Sequence, residues 1–225
     1  MMKETLVKQG VPAGQIIVLP PAASSVYQFF DWEKKQSIKE KYTAGKEYFL
    51  LPIHSTSHNS IMNVLKAFSQ FKKWQQSNMQ LMIMGKLSND KKIRELLQTY
   101  KYRSDVKVME DILTDTDNAA ITASAMTMIY LPASEGPAVI LKEALQSGTP
   151  VITVASPAFA EVCKDAVLYS DPLDVKDLAG NMMKLYKDEK FRNQLIKKGG
   201  EQVLPGSEAA AVQTLWNCIQ QELTA

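Results

Sequence analysis

The chain of 225 residues is poor in the side chains on which several kinds of chemistry depend. It has two cysteines, Cys163 and Cys218, far apart and in unlike settings. That excludes a disulfide framework and a multi-cysteine metal site, and both thiols read as reduced packing residues of a cytoplasmic protein. It has two histidines, His54 and His58, in the stretch H-S-T-S-H-N-S, which holds no Cys, Asp or Glu. Histidines four apart share a face only on one helix, and these straddle a loop, so no metal is expected. No run approaches the roughly 18 apolar residues that a transmembrane helix needs. The opening M-M-K-E-T-L-V-K-Q-G has no apolar core of a secretory signal. Net charge is only +2, so bulk charge gives no reason to expect a nucleic-acid partner. There is no internal repeat, no low-complexity tract and no G-x-G-x-x-G.

What is present is ordinary for a globular protein: 45% hydrophobic and 22% charged residues. Short apolar runs alternate with helical periods. Strands are expected at Ile16–Leu19, Glu47–Ile53, Gln80–Met84, Val106–Met109, Met126–Leu131, Val151–Val154 and Ala166–Tyr169. Asp31 caps a helix to about Tyr42, with Trp32 and Ile38 available to pack back on the domain. Helices follow at about Ser60–Trp74, from the Asn89 cap, from the Thr114/Asp117 capping box, and from Asp174. Further helices run from Glu189 to a stop at Gly199-Gly200, and from Ser207 to Leu223 with Val212, Leu215, Trp216 and Ile219 inward. This alternation predicts an α/β, Rossmann-like parallel sheet covered by helices on both faces. Residues 1–45 form an N-terminal lead packing on the domain of residues 46–225.

The chain is organised around Ala125 to Val154. Pro132 ends a strand, Ser134, Glu135 and Gly136 form a loop, and Pro137 suits a first helical turn. The helix continues from Val139 to Gln146 and stops at Gly148 before the next strand. Ligands of open parallel sheets bind beyond the carboxyl ends of the strands, where Glu135 lies. Glu143 stands about two turns along an otherwise apolar helix. The amides of Ala138 and Val139, at the helix start, make an anion site. A phosphate cradle beside two hydroxyl-binding carboxylates suits a nucleotide sugar.

The segment E-G-P-A-V-I-L-K-E-A-L-Q-S-G-T-P-V-I-T resembles the E-x7-E segment of retaining glycosyltransferases of the GT-B fold, group 1 type (family GT4). The likeness continues through Glu161-Val162 and Asp165-Ala166 to Asp171-Pro172, and follows the order of elements from Ile16 onward. It implies the second, donor-binding half of a GT-B enzyme that moves a sugar from a nucleoside diphosphate sugar, UDP- or GDP-linked, to an acceptor. Glu135 would act at the transferred sugar as the catalytic residue. Glu143 would hold the ribose, and Ser134, Gly136, Ala138 and Val139 would face sugar and diphosphate, with His54 and His58 across the loop. Neither a metal nor another cofactor is implied. The resemblance also implies a separate N-terminal acceptor-binding domain, so this chain alone would not glycosylate. A role in polysaccharide biosynthesis follows, in the cytoplasm or peripherally at the inner face of the membrane through the other half.

Three positions depart from the family pattern. The usual E-G-F-G is E-G-P-A here, so Pro137 removes an amide and Ala138 adds a methyl. No Arg or Lys lies between Lys46 and Lys66, where the family carries cations for the diphosphate. Glu110 stands where a glycine is common, near the loop that receives the nucleobase. These departures frame an alternative, a non-catalytic sugar-nucleotide-binding module of the same fold.

Overall fold

Alternating strand and helix patterns resolve into one parallel sheet with helices on each face. The computed structural model describes residues 2–19, 22–87, 91–110, 114–133, 138–203 and 208–223. In order these form α1 (Met2–Lys8), α2 (Trp32–Thr43), β1 (Tyr48–Pro52), α3 (His58–Gln75), β2 (Gln80–Met84) and α4 (Lys91–Thr99). Then come β3 (Val106–Met109), α5 (Asp115–Ser124), β4 (Thr127–Tyr130), α6 (Val139–Gln146), β5 (Val151–Thr153) and α7 (Pro157–Cys163). Last are β6 (Leu168–Tyr169), α8 (Val175–Lys187), α9 (Glu189–Val203) and α10 (Glu208–Leu223).

The strand order is β3-β2-β1-β4-β5-β6, and every pairing is parallel. β1 is buried along its whole length, as expected of a strand covered on both faces. Its alternate residues divide two cores. Phe49 and Leu51 join Phe68 and Phe71 of α3 and Leu178 and Met182 of α8. Tyr48 and Leu50 join Ile121 of α5, Leu141 and Leu145 of α6 and Phe159 of α7. The order reverses direction between β1 and β4. In open parallel sheets ligands bind outside the carboxyl ends of the strands beside such a reversal.

The caps at Asp31, Thr114 and Asp174 are in place, each side chain accepting amides of the first turn. Ser57 caps α3 in the same way. Asn89 lies outside the described residues.

Four expectations are corrected. Ile16–Leu19 is no strand: it finds no sheet edge, and Ile17 and Val18 are exposed. Trp32 opens α2 before the helix meets the body and is 74% exposed, while Ile38 does pack inward, against Phe30 and α5. α9 runs through Gly199 and Gly200 to Val203. Gly199 serves packing rather than termination, because a Cβ there would stand 2.9 Å from Leu145 Cδ2 on α6. α10 forms, but Val212, Leu215, Trp216 and Ile219 are exposed rather than inward.

Candidate functional site

The loops after β1 and β4 meet at the carboxyl edge of the sheet. The Ala133 amide donates to the Ser55 carbonyl at 2.8 Å, and Thr56 forms an isolated antiparallel bridge with Pro132. Ser55 takes a left-handed conformation, φ 60°, to turn the chain there. The histidine loop is therefore fastened to the base of the loop that carries Ser134, Glu135 and Gly136. Those three residues, with Pro137, lie outside the described residues. His54 is exposed in the turn, and His58 is the first residue of α3, half-buried. They thus sit on either side of the helix start rather than on one helical face.

Beyond the β4 loop the same edge opens into a cleft of about 560 Å³. Pro132 and Ala133 line one side, Ala155 and Ser156 the floor beyond β5, and Ser170 and Asp171 the far side beyond β6. The Asn63 side chain of α3 donates to the Pro172 carbonyl at 3.0 Å and ties the far side to the body. Ser170 is itself held by Asp177 of α8.

α6 starts at this edge. Ala138 occupies its N-cap, and among the described residues no side chain caps the helix. The peptide dipoles of a helix start favour an anion there. Ala138 and Val139 are both half-buried.

Glu143 lies on the next part of α6, half-buried. Burial, together with the neighbouring Asp115 carboxylate, pushes its pKa above the ordinary carboxylate range. The nearby Tyr27 hydroxyl acts the other way and favours the charged form. Burial and the facing Glu143 carboxylate push the Tyr27 hydroxyl up to about 12, so it stays a donor at neutral pH. Tyr27 lies in the lead, and nothing in the sequence pattern singles it out. Gln146, one turn beyond Glu143 on α6, donates through its side-chain amide to the carbonyls of Ser24 at 3.0 Å and Tyr27 at 2.5 Å.

The other candidates have other work. Glu110, after β3, accepts from the Leu87 amide at 2.9 Å and from Arg94 at 3.2 Å. It thereby ties the ends of β2 and β3 together, while residues 111–113 of the same loop lie outside the described residues. Lys86 is exposed at the end of β2. Cys163 is fully buried in the core, and burial pushes its thiol up to about 12, which makes it inert. Glu161 lies exposed on α7.

The model of the family described as "Glycosyl transferases group 1" matches residues 33–202. O-antigen chain mannosyltransferase B of Escherichia coli is 30% identical over 112 residues, 49% of this chain and 27% of that protein. The fold is similar to Anabaena HepE, solved with UDP-glucose, at a TM-score of 0.79 and 11% identity over 99% of this chain and 61% of that one. It is also similar to the C-terminal domain of a group 1 glycosyl transferase, LpcC, from Francisella tularensis, at a TM-score of 0.69 and 16% identity. That match covers 82% of this chain and 97% of the domain. At such identities the likeness to the two structures is one of fold.

Proposed function

The chain belongs to the glycosyl transferases group 1 family, and from that premise we propose that it binds the nucleoside diphosphate sugar from which a glycosyltransferase of the retaining type takes its sugar. One observation carries the reading: a half-buried carboxylate, Glu143, stands on the helix that starts at the carboxyl edge of the sheet, beside the reversal of strand order. A carboxylate can accept from both hydroxyls of a ribose diol, and a helix start suits the adjoining diphosphate. The diphosphate then lies over Ala138 and Val139, with Ser134 and Gly136 beside it, and the sugar extends past Glu135 toward the cleft beyond β5 and β6. Glu135 holds the sugar hydroxyls at the reacting centre. His54 and His58 close the opposite side of the crevice.

The leaving nucleoside diphosphate gains negative charge, so donors aimed at it are the main source of rate. In this chain those donors are the amides of α6, since the β1 loop supplies no Arg or Lys. The reaction needs no metal or other cofactor in this reading. The acceptor is held by a second domain. Support for that division comes from LpcC, whose C-terminal domain is matched over nearly its full length, whereas the chain spans 61% of HepE. UDP is the first donor base to test, because HepE was solved with UDP-glucose. The protein works in the cytoplasm, reaching the inner membrane face through the acceptor half. Among the described residues no helix is long and apolar enough to cross a membrane.

The test is calorimetric titration with UDP, GDP and ADP, each with and without its hexose. One base should bind selectively, and Glu143→Gln should weaken it by about 10- to 100-fold, the worth of a hydrogen bond to a charged group. Equal binding of all three, or indifference to Glu143→Gln, would overturn the reading. The missing cations of the β1 loop favour a second reading, a binding module without turnover. If so, the full enzyme binds the donor but transfers nothing, and an arginine introduced at His54 should restore transfer; no gain would count against lost charge as the cause.

A further inference from the structure

The cleft beyond β5 and β6 has both rims fixed from outside. On the near side the Ala133 amide is bound to the Ser55 carbonyl, and on the far side the Asn63 side chain holds the Pro172 carbonyl. The Ser170 amide donates to the Thr153 carbonyl at 2.8 Å, and the Ser170 hydroxyl donates to Asp177. The volume of about 560 Å³ lies within the roughly 300–1,000 Å³ of small-molecule sites. Pro132, Val154, Tyr169 and Pro172 give the cleft apolar walls. The Tyr169 hydroxyl donates to the Lys164 carbonyl at 2.7 Å, so Tyr169 adds ring surface rather than a polar group. Two other lining side chains keep hydrogen-bonding capacity. The Ser156 oxygen accepts from the Phe159 amide at 3.2 Å, which leaves its proton to donate. Asp171 accepts the Leu173 amide through Oδ1 at 2.8 Å, and among the described residues no donor reaches its other oxygen.

We propose that this cleft is a subsite for a hexopyranose ring, in which Asp171 accepts from ring hydroxyls, Ser156 donates to a ring oxygen and the apolar walls cover the C–H face. The inference rests on the donor-binding reading above, which brings a sugar to this edge of the sheet. The lining selects the class of ligand. Among the described residues no Lys or Arg lines the cleft, and its one charge is the Asp171 carboxylate, so a phosphate or carboxylate would be repelled. Among the described residues no three His, Cys, Asp or Glu side chains gather to hold a metal ion, so Asp171 is not part of a cation site. A neutral polyol remains, and a pyranose adds the apolar face that the walls match. A ring of this kind has two sources. It is the hexose of the donor, or it is the sugar unit of an acceptor glycan beside the reacting hydroxyl. The chemistry that holds it is the same.

The experiment compares the full chain with Asp171→Asn and Ala155→Trp. Asparagine still accepts the Leu173 amide, so the turn is kept while the charge is lost. Ala155 is exposed on the cleft floor, so a tryptophan there fills the cleft without entering the core. Each protein is titrated calorimetrically with UDP, UDP-glucose, GDP and GDP-mannose, and by ligand-observed NMR with methyl α-glucoside and methyl α-mannoside. If the ring is the donor's, one sugar nucleotide binds more tightly than its own diphosphate. Asp171→Asn then cuts that gain roughly 3- to 10-fold, the step from a charged to a neutral acceptor, and Ala155→Trp abolishes it. The diphosphate itself binds all three proteins equally. If the ring is the acceptor's, the sugar nucleotides show no gain, and one glycoside binds at about 1–10 mM and is lost in both variants. Sugar nucleotides and glycosides that are all indifferent to both substitutions overturn the proposal. An equal loss for diphosphate and sugar nucleotide, with no glycoside bound, overturns it too, because the residues then act only through the fold. Failure of the wild type to bind either diphosphate overturns the donor-binding reading, and the glycoside titration still decides the cleft by itself.

Discussion

Lys72, near the end of α3, is only 6% exposed, and its ammonium is fully engaged. It donates to the Met79 carbonyl at 3.2 Å and to the Ser77 carbonyl, and meets the Asp105 carboxylate at 2.9 Å. The residue thus fastens the entry of β2 and the turn before β3 to one helix. Removing one member of such a buried pair leaves the other without compensation. Lys72→Met keeps the apolar stem and should cost about 2–4 kcal/mol in urea unfolding. Adding Asp105→Asn should recover part of that loss, and a single-variant cost below about 0.5 kcal/mol would mean solvent already serves the pair. The candidate residues divide by how locally they are placed. The place of Glu143 on α6, half-buried, was legible because it follows from a helix, a loop and a spacing within thirty residues of chain. The tie between Gln146 and the Tyr27 carbonyl was not, because it spans 119 positions and leaves no period or motif. Glu110 was legible only as an oddity: its function is to accept from Leu87 and Arg94, which chain order does not reveal.

Elements are joined by a few polar contacts whose charge can be titrated. Asp117 on α5 accepts from the Tyr42 hydroxyl at 2.8 Å and from Lys41 at 3.3 Å, both on α2, and from the Thr114 hydroxyl at 2.7 Å. These bonds, Thr114 first, hold its carboxyl down from 3.8 to about 2. A carboxyl depressed in the folded state adds stability above its unfolded pKa, and loses it as pH falls through the folded value. Stability contributed by the α2–α5 contact should therefore be constant above about pH 5 and disappear between roughly pH 4 and 2. In Asp117→Asn the acid limb of urea unfolding should be shallower over that window, with a lower plateau at pH 7. An unchanged limb would mean that water replaces these partners at no cost. Most elements were legible, because local periods and caps coincide with what the tertiary structure uses. Thr114 shows this well, since its capping box also carries the link to α2. The failures share a cause. Ile16–Leu19 has strand composition, but a strand needs a neighbour. Gly199-Gly200 has the composition of a helix end, but Gly199 is there to let α9 approach Leu145.

On the scale of the whole molecule the sheet and its two helical layers hold the stability, and α10 stands apart from them. Val212, Leu215, Trp216 and Ile219 recur at helical spacing, so the period correctly announced an amphipathic helix. Periodicity states which face is apolar, not what covers it. Here the four side chains are 62, 47, 52 and 42% exposed, and none of the described residues of α10 is buried. Burial stabilises at about 25 cal/mol per Å² of apolar surface removed from water, so a helix that buries little contributes little. A chain ending at Val203 should therefore melt within about 3 °C of the full chain, since a shift of that size corresponds to under 1 kcal/mol. On the donor-binding proposal it should bind nucleotide equally well, because Glu143 and the start of α6 lie in the retained part. A drop of some 10 °C in scanning calorimetry would show instead that α10 packs against the sheet layers in solution. An unchanged melting point would mark its apolar stripe as surface that the α/β core does not need for its own folding.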